Sequence, residues 1–353
     1  MSSARESLPF GKPPEMSVVV VSPGGVEGVS RTVHHLRRQT ARQRLELVLV
    51  DCGGESLAAA GGEIDGFAAL RLVDGRGLRS TGEAIAAGIR AASAPLVGCA
   101  EEHSFPEPGW AEAIIDAHSG PWAAVAGVLE NANPATRTSW AALLSDFGPA
   151  VAPAEAGEAA ELPGHHTTYK RATLQRYGDR LGRILEVEWV LHDDLRAAGE
   201  RLFREPRAVS HHLNVSRLGS HLRAEFCGGR AFAANRARFR GWGVPRRLLW
   251  TAGSLLMPLV RFARARLDLR RCRPTSRRGL AAVLLLGLTA NAAGQMLGYG
   301  LGPGRAAERR MANELNRHRY LRRNERVQLA ALASEDLPRL SAADAPDGLL
   351  QEA

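Results

Sequence analysis

Three consecutive side chains, Glu101, Glu102 and His103, carry the chemistry around which this chain can be read. They close a short apolar run, Leu96 to Ala100, and Pro106 and Pro108 follow soon after. A run of that length reads as a buried strand, and a proline gives a ladder no N–H, so the strand is expected to stop there. Two carboxylates and an imidazole at the carboxyl end of a buried strand stand where open α/β sheets take ligands. Together they are also competent ligands for a hard or borderline divalent cation. Asp51 closes a second apolar run, Leu45 to Val50, and Pro23 and Gly24 follow a third, Ser17 to Val21. A lone aspartate after a strand is commonly a turn residue or a helix cap. Set beside two other strand-end loops, it joins a candidate nucleotide crevice instead.

The elements that position these residues alternate. Ser17 to Val21 is β-branched and reads as a parallel strand buried on both faces. Helical spacing follows over Val29 to Arg42, then the Leu45 to Val50 strand, a short strand at Leu70 to Val73, and a helix from about Ser80 to Ala92. Leu96 to Ala100 is then the fourth strand of a β-α-β-(α)-β-α-β series, which predicts a doubly wound α/β sheet with right-handed crossovers. A helix over Ala111 to His118 and a strand over Trp122 to Leu129 come next. An Ala-, Pro- and Glu-rich stretch from Pro149 to Leu162 reads as a variable lid. Glu186, Val187 and Glu188 precede a helix over Trp189 to Ala198, for which Gly199 supplies the carboxyl cap. A strand over Leu202 to Val209 ends at Ser210, His211 and His212; adjacent strand residues point to opposite faces, so one of the two histidines at most serves a site.

Composition bounds the class. With 353 residues, 45% of them hydrophobic and 24% charged, the chain is globular in type and long enough for a domain plus an appendage. Its four cysteines, Cys52, Cys99, Cys227 and Cys272, have no CxxC spacing. That argues against a cysteine zinc site or a disulfide framework and for a reducing compartment. The polar leader, Met1 to Pro14, does not resemble a signal peptide. The net charge of +9 is uneven: between Arg217 and Arg326 there are 24 arginines against five acids. Such a segment is expected to meet something anionic, a phospholipid surface or nucleic acid.

The set SVVVVSPGG, LELVLVDCGG, GEAIAAGIRAA and PLVGCAEEHSFPEPGW resembles the nucleotide-binding half of glycosyltransferase family 2, inverting enzymes of the type A fold. The resemblance covers about residues 16 to 215. It implies a nucleotide-sugar donor, with Pro23 at the base and Asp51 on the nucleoside. The family's Asp-x-Asp motif falls on Glu101, Glu102 and His103, and the trailing Pro106, Pro108, Gly109 and Trp110 match the family well. By that match Glu101 and Glu102 hold the donor. His103, with His211 or His212, holds a cation on the diphosphate, Mn²⁺ or Mg²⁺. The imidazole in place of the last aspartate suits Mn²⁺ better, since Mg²⁺ prefers oxygen, and it departs from the family's pattern. LPGHHTTYKR resembles the segment leading to the acceptor, so His165, His166 and Trp110 are candidate acceptor contacts. VLHDDLRAAGERL resembles the segment that carries the general base, which falls on Glu188, with Glu186 its rival and Asp193 and Asp194 on a solvated face.

Past Asn214 the character changes. Gly219 to Phe239 reads as basic and helical in pieces. Leu248 to Val260 is apolar but has only 13 residues, too few to span a bilayer and suited to an interfacial helix. Leu280 to Leu301 is 22 residues without a formal charge, with Ala290, Gly294, Gly298 and Gly302 at every fourth position. Such a stripe lets a second helix approach closely, in lipid or in a tightly packed soluble hairpin. Arg305 to Arg326 reads as a basic amphipathic helix, and the tail from Ser334 as disordered.

These readings divide the chain into a leader (1–15), a nucleotide-sugar domain (16–215), a basic, apolar helical region associated with a membrane (216–330) and a tail (331–353). The expected activity is sugar transfer to a hydroxyl of a lipid-linked or cell-envelope glycan. It would take place at the cytoplasmic face of the cell membrane, with an anionic lipid surface and no nucleic acid as partner. Two alternatives stand beside it: a catalytically degenerate nucleotide-binding scaffold of the same fold, and an NAD(P)-dependent enzyme. The latter rests on Gly25-x-x-Gly28 after the first strand, a partial dinucleotide fingerprint that lacks its first glycine.

Overall fold

A computed structural model describes residues 12–24, 28–53, 66–275 and 277–331. Most of the leader, Gly25 and the tail beyond residue 331 lie outside the described residues. The first half alternates as its apolar runs require: β1 (Met16–Ser22), α1 (Ser30–Arg37), β2 (Leu45–Asp51), β3 (Ala69–Asp74), α2 (Thr81–Ala91) and β4 (Leu96–Cys99). Then come β5 (Ser104–Pro106), α3 (Trp110–Ala117), β6 (Ala124–Asn131), α4 (Arg137–Phe147), β7 (Gly157–Glu158), β8 (Thr167–Lys170) and the short α5 (Arg171–Gln175) and α6 (Leu181–Leu185). α7 (Glu188–Ala197) and β9 (Leu202–His212) complete the sheet.

Among the described residues nine strands form one mixed sheet in the order β3-β2-β1-β4-β8-β6-β9-β5, with β7 also on β9. β1 to β4, β6 and β9 run one way; β5, β7 and β8 oppose them. β1 and β2 are buried along nearly their whole length and divide their side chains between two cores. Val19, Val21, Val48 and Val50 pack under α2, α6 and α7, while Val18, Val20, Leu47 and Leu49 pack over α1 and α3.

Three strands escape sequence reading because each is two to four residues long: β5, β7 and β8. The prolines were expected to end strand structure after Ala100, yet Pro106 closes β5. That strand lies at the sheet edge, where no outward N–H is required. β8 is inserted antiparallel between β4 and β6, so the sheet departs from the parallel halves of a dinucleotide-binding fold. The expected lid at 149–162 is tied to the sheet through β7 and through Val151, which bridges Leu129.

The carboxyl region is helical: α8 (Leu218–Phe239), α9 (Val244–Gly253), α10 (Met257–Cys272), α11 (Leu280–Leu301), α12 (Ala306–Glu314) and α13 (Arg323–Ala331). Gly219 to Phe239 lies within one continuous helix rather than pieces, because neither Gly228 nor Gly229 breaks the hydrogen-bonded ladder. The basic helix expected over Arg305 to Arg326 is instead broken into α12, a 3₁₀ turn (Arg317–Tyr320) and α13. It breaks because Met311 and Leu315 turn into the core under β1 and α2, and Leu321 turns into another.

The small-residue stripe of α11 faces α8, a helix that carries arginines. A Cβ on Gly294 would lie 2.1 Å from the Phe226 carbonyl oxygen, and one on Gly298 2.4 Å from that of Arg230. α11 is long and apolar enough to cross a membrane by length and composition, and 44% of its most apolar stretch is buried against the protein. Because the close approach leaves no room for a side chain, Gly294→Val should destabilise the fold by about 3 kcal/mol, read by chemical denaturation. An unchanged midpoint would show that α8 and α11 do not need this contact.

Candidate active site

Glu101 stands just past β4, and its carboxylate is enclosed by four imidazoles. Its Oε2 lies 2.9 Å from His166 Nε2, 3.1 Å from His212 Nε2 and 3.4 Å from His103 Nε2, while Oε1 lies 3.2 Å from His165 Nδ1. Sheet topology brings these together. β8 carries His165 and His166 on its leading loop to the side of β4. The antiparallel pairing of β5 with β9 sets Ser104 opposite His212, which places His212 beside His103. His165 adopts a left-handed backbone, φ 59°, a strained conformation of the kind that clusters at functional sites.

Hydrogen bonds behind the rings fix which nitrogens face inward. The Asn214 amide donates to Asn131 Oδ1 (3.0 Å) and to the His212 carbonyl (2.9 Å), so its own oxygen accepts from His212 Nδ1 at 2.8 Å. That leaves the lone pair of His212 Nε2 aimed at Glu101. His103 Nδ1 is held by Glu102 Oε2 at 2.7 Å, and among the described residues its Nε2, with 2% of the residue exposed, has no hydrogen-bond partner. Two imidazole nitrogens and a carboxylate oxygen thus converge in a buried place. Such a convergence is repulsive without a proton or a cation between the acceptors. Glu101, His103 and His212 form a group whose ligand atoms lie within 4.8 Å of one another, able to hold a metal ion. A glutamate and two imidazoles fit Mn²⁺ or a similar borderline cation better than Mg²⁺.

The electrostatics agree with that geometry. Burial pushes the Glu101 carboxyl up, but the imidazoles of His103 and His166 and hydrogen bonds from His165 and His166 outweigh it and hold it well below the usual range. Burial pushes His212 down to about 4, so the ring is neutral and free to ligate near neutral pH. His103 is depressed by burial yet ends above its ordinary value, chiefly because Glu102 lies against it. His165, depressed by burial, is raised to about 9 by the carboxylates of Glu188 and Glu101.

Glu188 opens α7, and His165 lies between it and Glu101. Glu188 Oε2 accepts the His165 backbone N–H at 2.5 Å and lies 3.6 Å from its Nε2; Oε1 accepts from the Tyr169 hydroxyl at 3.3 Å. Burial raises the Glu188 carboxyl above its ordinary range, toward the value a proton acceptor needs. Glu186 is engaged elsewhere, accepting from the Gly82 backbone N–H at the start of α2. Both acids, with Glu101 and His165, line one cavity of about 670 Å³ that continues past Trp189 to Met257 and Val260 of α10.

The remaining sequence candidates are scattered. Asp51 and Pro23 sit at neighbouring strand ends, Ser22 being paired with Asp51, but line neither this cavity nor the small recess beside Glu101. His211 faces away from the cluster, 2.9 Å from Glu107 and 3.8 Å from Glu130. Trp110 is buried under the sheet with Met16 and Val18, on the face away from the cluster, and does not reach the cavity. His165 and His166, expected at the acceptor, hydrogen-bond Glu101.

Sequence reading missed Arg310, Glu314 and Arg317. Glu314 Oε2 stands 3.8 Å from His103 Nε2 and pairs with Arg317, while Oε1 lies 3.8 Å from Arg310 Nε. Their spacing, Arg-x-x-x-Glu-x-x-Arg, was the available signal, because such residues share one helix face.

No protein-family model matches the chain, and no curated protein matches it. Among solved structures the chain is similar to the mannosyltransferase PcManGT from Pyrobaculum calidifontis in complex with GDP-Man and Mn²⁺. The identity is 16% over 80% of this chain and 87% of that one, with a TM-score of 0.47.

The two neighbouring histidines make the metal reading testable. His212→Ala should weaken Mn²⁺ binding at least roughly tenfold in calorimetric titration, whereas His211→Ala should leave it unchanged. Equal effects, or none, would remove the cluster as a metal site.

Proposed function

We propose that the protein is an inverting glycosyltransferase, family 2 in type, that moves a sugar from a nucleotide-sugar donor to a hydroxyl of a lipid-linked or cell-envelope glycan. The observation that carries this reading is the meeting of Glu101 and Glu188 across His165 in one cavity. Glu101 belongs to the strand-end loop where an open sheet takes its nucleotide, and Glu188 is a buried carboxylate with its affinity for a proton raised.

In this reading Glu188 takes the proton of the acceptor hydroxyl as that oxygen bonds to the anomeric carbon. The bond from that carbon to the donor diphosphate breaks on the opposite face, and the nucleoside diphosphate leaves with the electron pair. Glu101, His103 and His212 would hold a cation, which supplies neutralisation of the charge gathering on the diphosphate. His165 keeps Glu188 oriented through its backbone N–H, and Tyr169 does so through its hydroxyl. Pro23 and Asp51 remain the candidate contacts for the base and nucleoside, and Glu102 holds His103 in place.

A membrane-bound acceptor, proposed at the cytoplasmic face, is supported as to the membrane by the outer surface of α9, α10 and the 3₁₀ turn between them (Ser254–Leu256). Leu248, Leu249, Leu255, Leu256 and Leu259 are each more than half exposed, and Arg246, Arg247, Arg264 and Arg266 lie among them. Apolar side chains in a basic setting suit the boundary of an anionic bilayer. Met257 and Val260 of the same helices line the far end of the cavity, so an acceptor held in that boundary could reach Glu188 from there.

Two measurements check this reading. Glu188→Gln should lower kcat by roughly 10²–10⁴-fold while leaving donor affinity nearly intact. Full turnover in that variant would move the base elsewhere, with Glu186 the first candidate. Replacing Leu256 and Leu259 together by Asp should lower sedimentation with anionic phospholipid vesicles by roughly tenfold or more. Unchanged sedimentation would detach the acceptor reading from the membrane.

A further inference from the structure

The small recess beside Glu101 lies at the carboxyl ends of β1 and β4, between Val19, Val21, Cys99 and the first turn of α2. An open sheet receives a nucleotide at such a place. Here it holds only about 20 Å³, room for about one water. What fills it comes from the carboxyl region. Leu315 and Met311 pack into the core formed by Val19, Val21 and Ile85, and Glu314 and Leu315 form the recess wall. The Glu314 carboxylate sits between Arg310 and Arg317, facing His103.

Among the described residues His103 Nε2, Arg317 Nε and Thr81 Oγ1 make no hydrogen bond, although each belongs to a residue more than nine-tenths buried. Thr81 begins α2, whose amino end favours an anion. Glu101 and Glu102 already hold His103, and Glu186 holds the start of α2, but among the described residues the guanidinium groups of Arg310 and Arg317 share one carboxylate, Glu314, which leaves Arg317 Nε unbonded. A diphosphate has more oxygens and more charge, and the same groups are suited to all of them.

We infer that Arg310 and Arg317 are the diphosphate-binding pair of the donor site and that Glu314 is an in-chain stand-in for the diphosphate, with Leu315 filling the nucleoside side of the recess. The inference rests on the nucleotide-sugar reading above. Donor entry then exchanges one anion for another: Glu314 leaves the two arginines, residues 311–316 move off the strand ends, and the guanidinium groups close on the phosphates. Competition from Glu314 lowers the apparent donor affinity by the fraction of molecules in which the segment is displaced.

Calorimetric titration with inorganic pyrophosphate, and with GDP and UDP, each with Mn²⁺, tests this. Glu314→Gln keeps the shape and removes the competing charge, so it should bind pyrophosphate roughly tenfold more tightly than the parent chain. Adding Arg310→Gln should abolish that gain. In the unmodified protein, adding the nucleoside diphosphate that binds should speed hydrogen exchange of the amides over 311–316, a readout independent of any variant's folding. Binding by the parent chain with no tightening in Glu314→Gln, or with unchanged exchange, overturns this inference and leaves the donor reading standing. Failure of both proteins to bind any of the three compounds overturns both.

Discussion

A buried carboxylate enclosed by four imidazoles is the constraint on which the rest of the site depends. Glu101 cannot keep its charge among the nitrogens of His103 and His212 without a proton or a metal between them, and the rings cannot turn away. Asn214 holds one and Glu102 the other. Asn214 is itself fixed by Asn131 and Asn133, and Asn133 reaches Glu325 of α13, so the carboxyl-terminal helices brace the site from behind. A network braced from behind, with the inward His103 Nε2 left without a hydrogen bond among the described residues, is organised to receive a ligand.

The sheet is arranged to produce that convergence. Four parallel strands make the crevice, but on their own they deliver only Glu101, Glu102 and His103, from the loop after β4, to it. The reversed β8 brings His165 and His166, and the pairing of β9 with β5 brings His212. Glu188 arrives on α7, whose start is tied by the His165 backbone. β8 and the β5–β9 pairing, both insertions into the simple alternating plan, supply the remaining residues of the cluster.

The parallel core was legible because buried strands are written as continuous β-branched runs, and α2 because Ser80 caps it and its apolar residues keep a helical period. Glu101, His103 and Glu188 were legible because they sit at strand and helix ends. β8 was not: four residues, Thr167 to Lys170, carry too little pattern. The choice between His211 and His212 depended on a register that no local signal sets. Arg305 to Arg326 read as one basic amphipathic helix because arginines dominate it, and only packing shows that it breaks after Glu314 and that Arg317 is buried. Trp110 fitted a motif by position, yet its ring serves the core on the other side of the sheet.

The central claim is that a divalent cation belongs between Glu101, His103 and His212. Anomalous diffraction from crystals grown with Mn²⁺ and a nucleoside diphosphate tests it most directly. The account predicts one peak within bonding distance of Glu101 Oε2, His103 Nε2 and His212 Nε2. A protein that binds the nucleotide with no peak there, its glutamate still held by the four imidazoles, would contradict it.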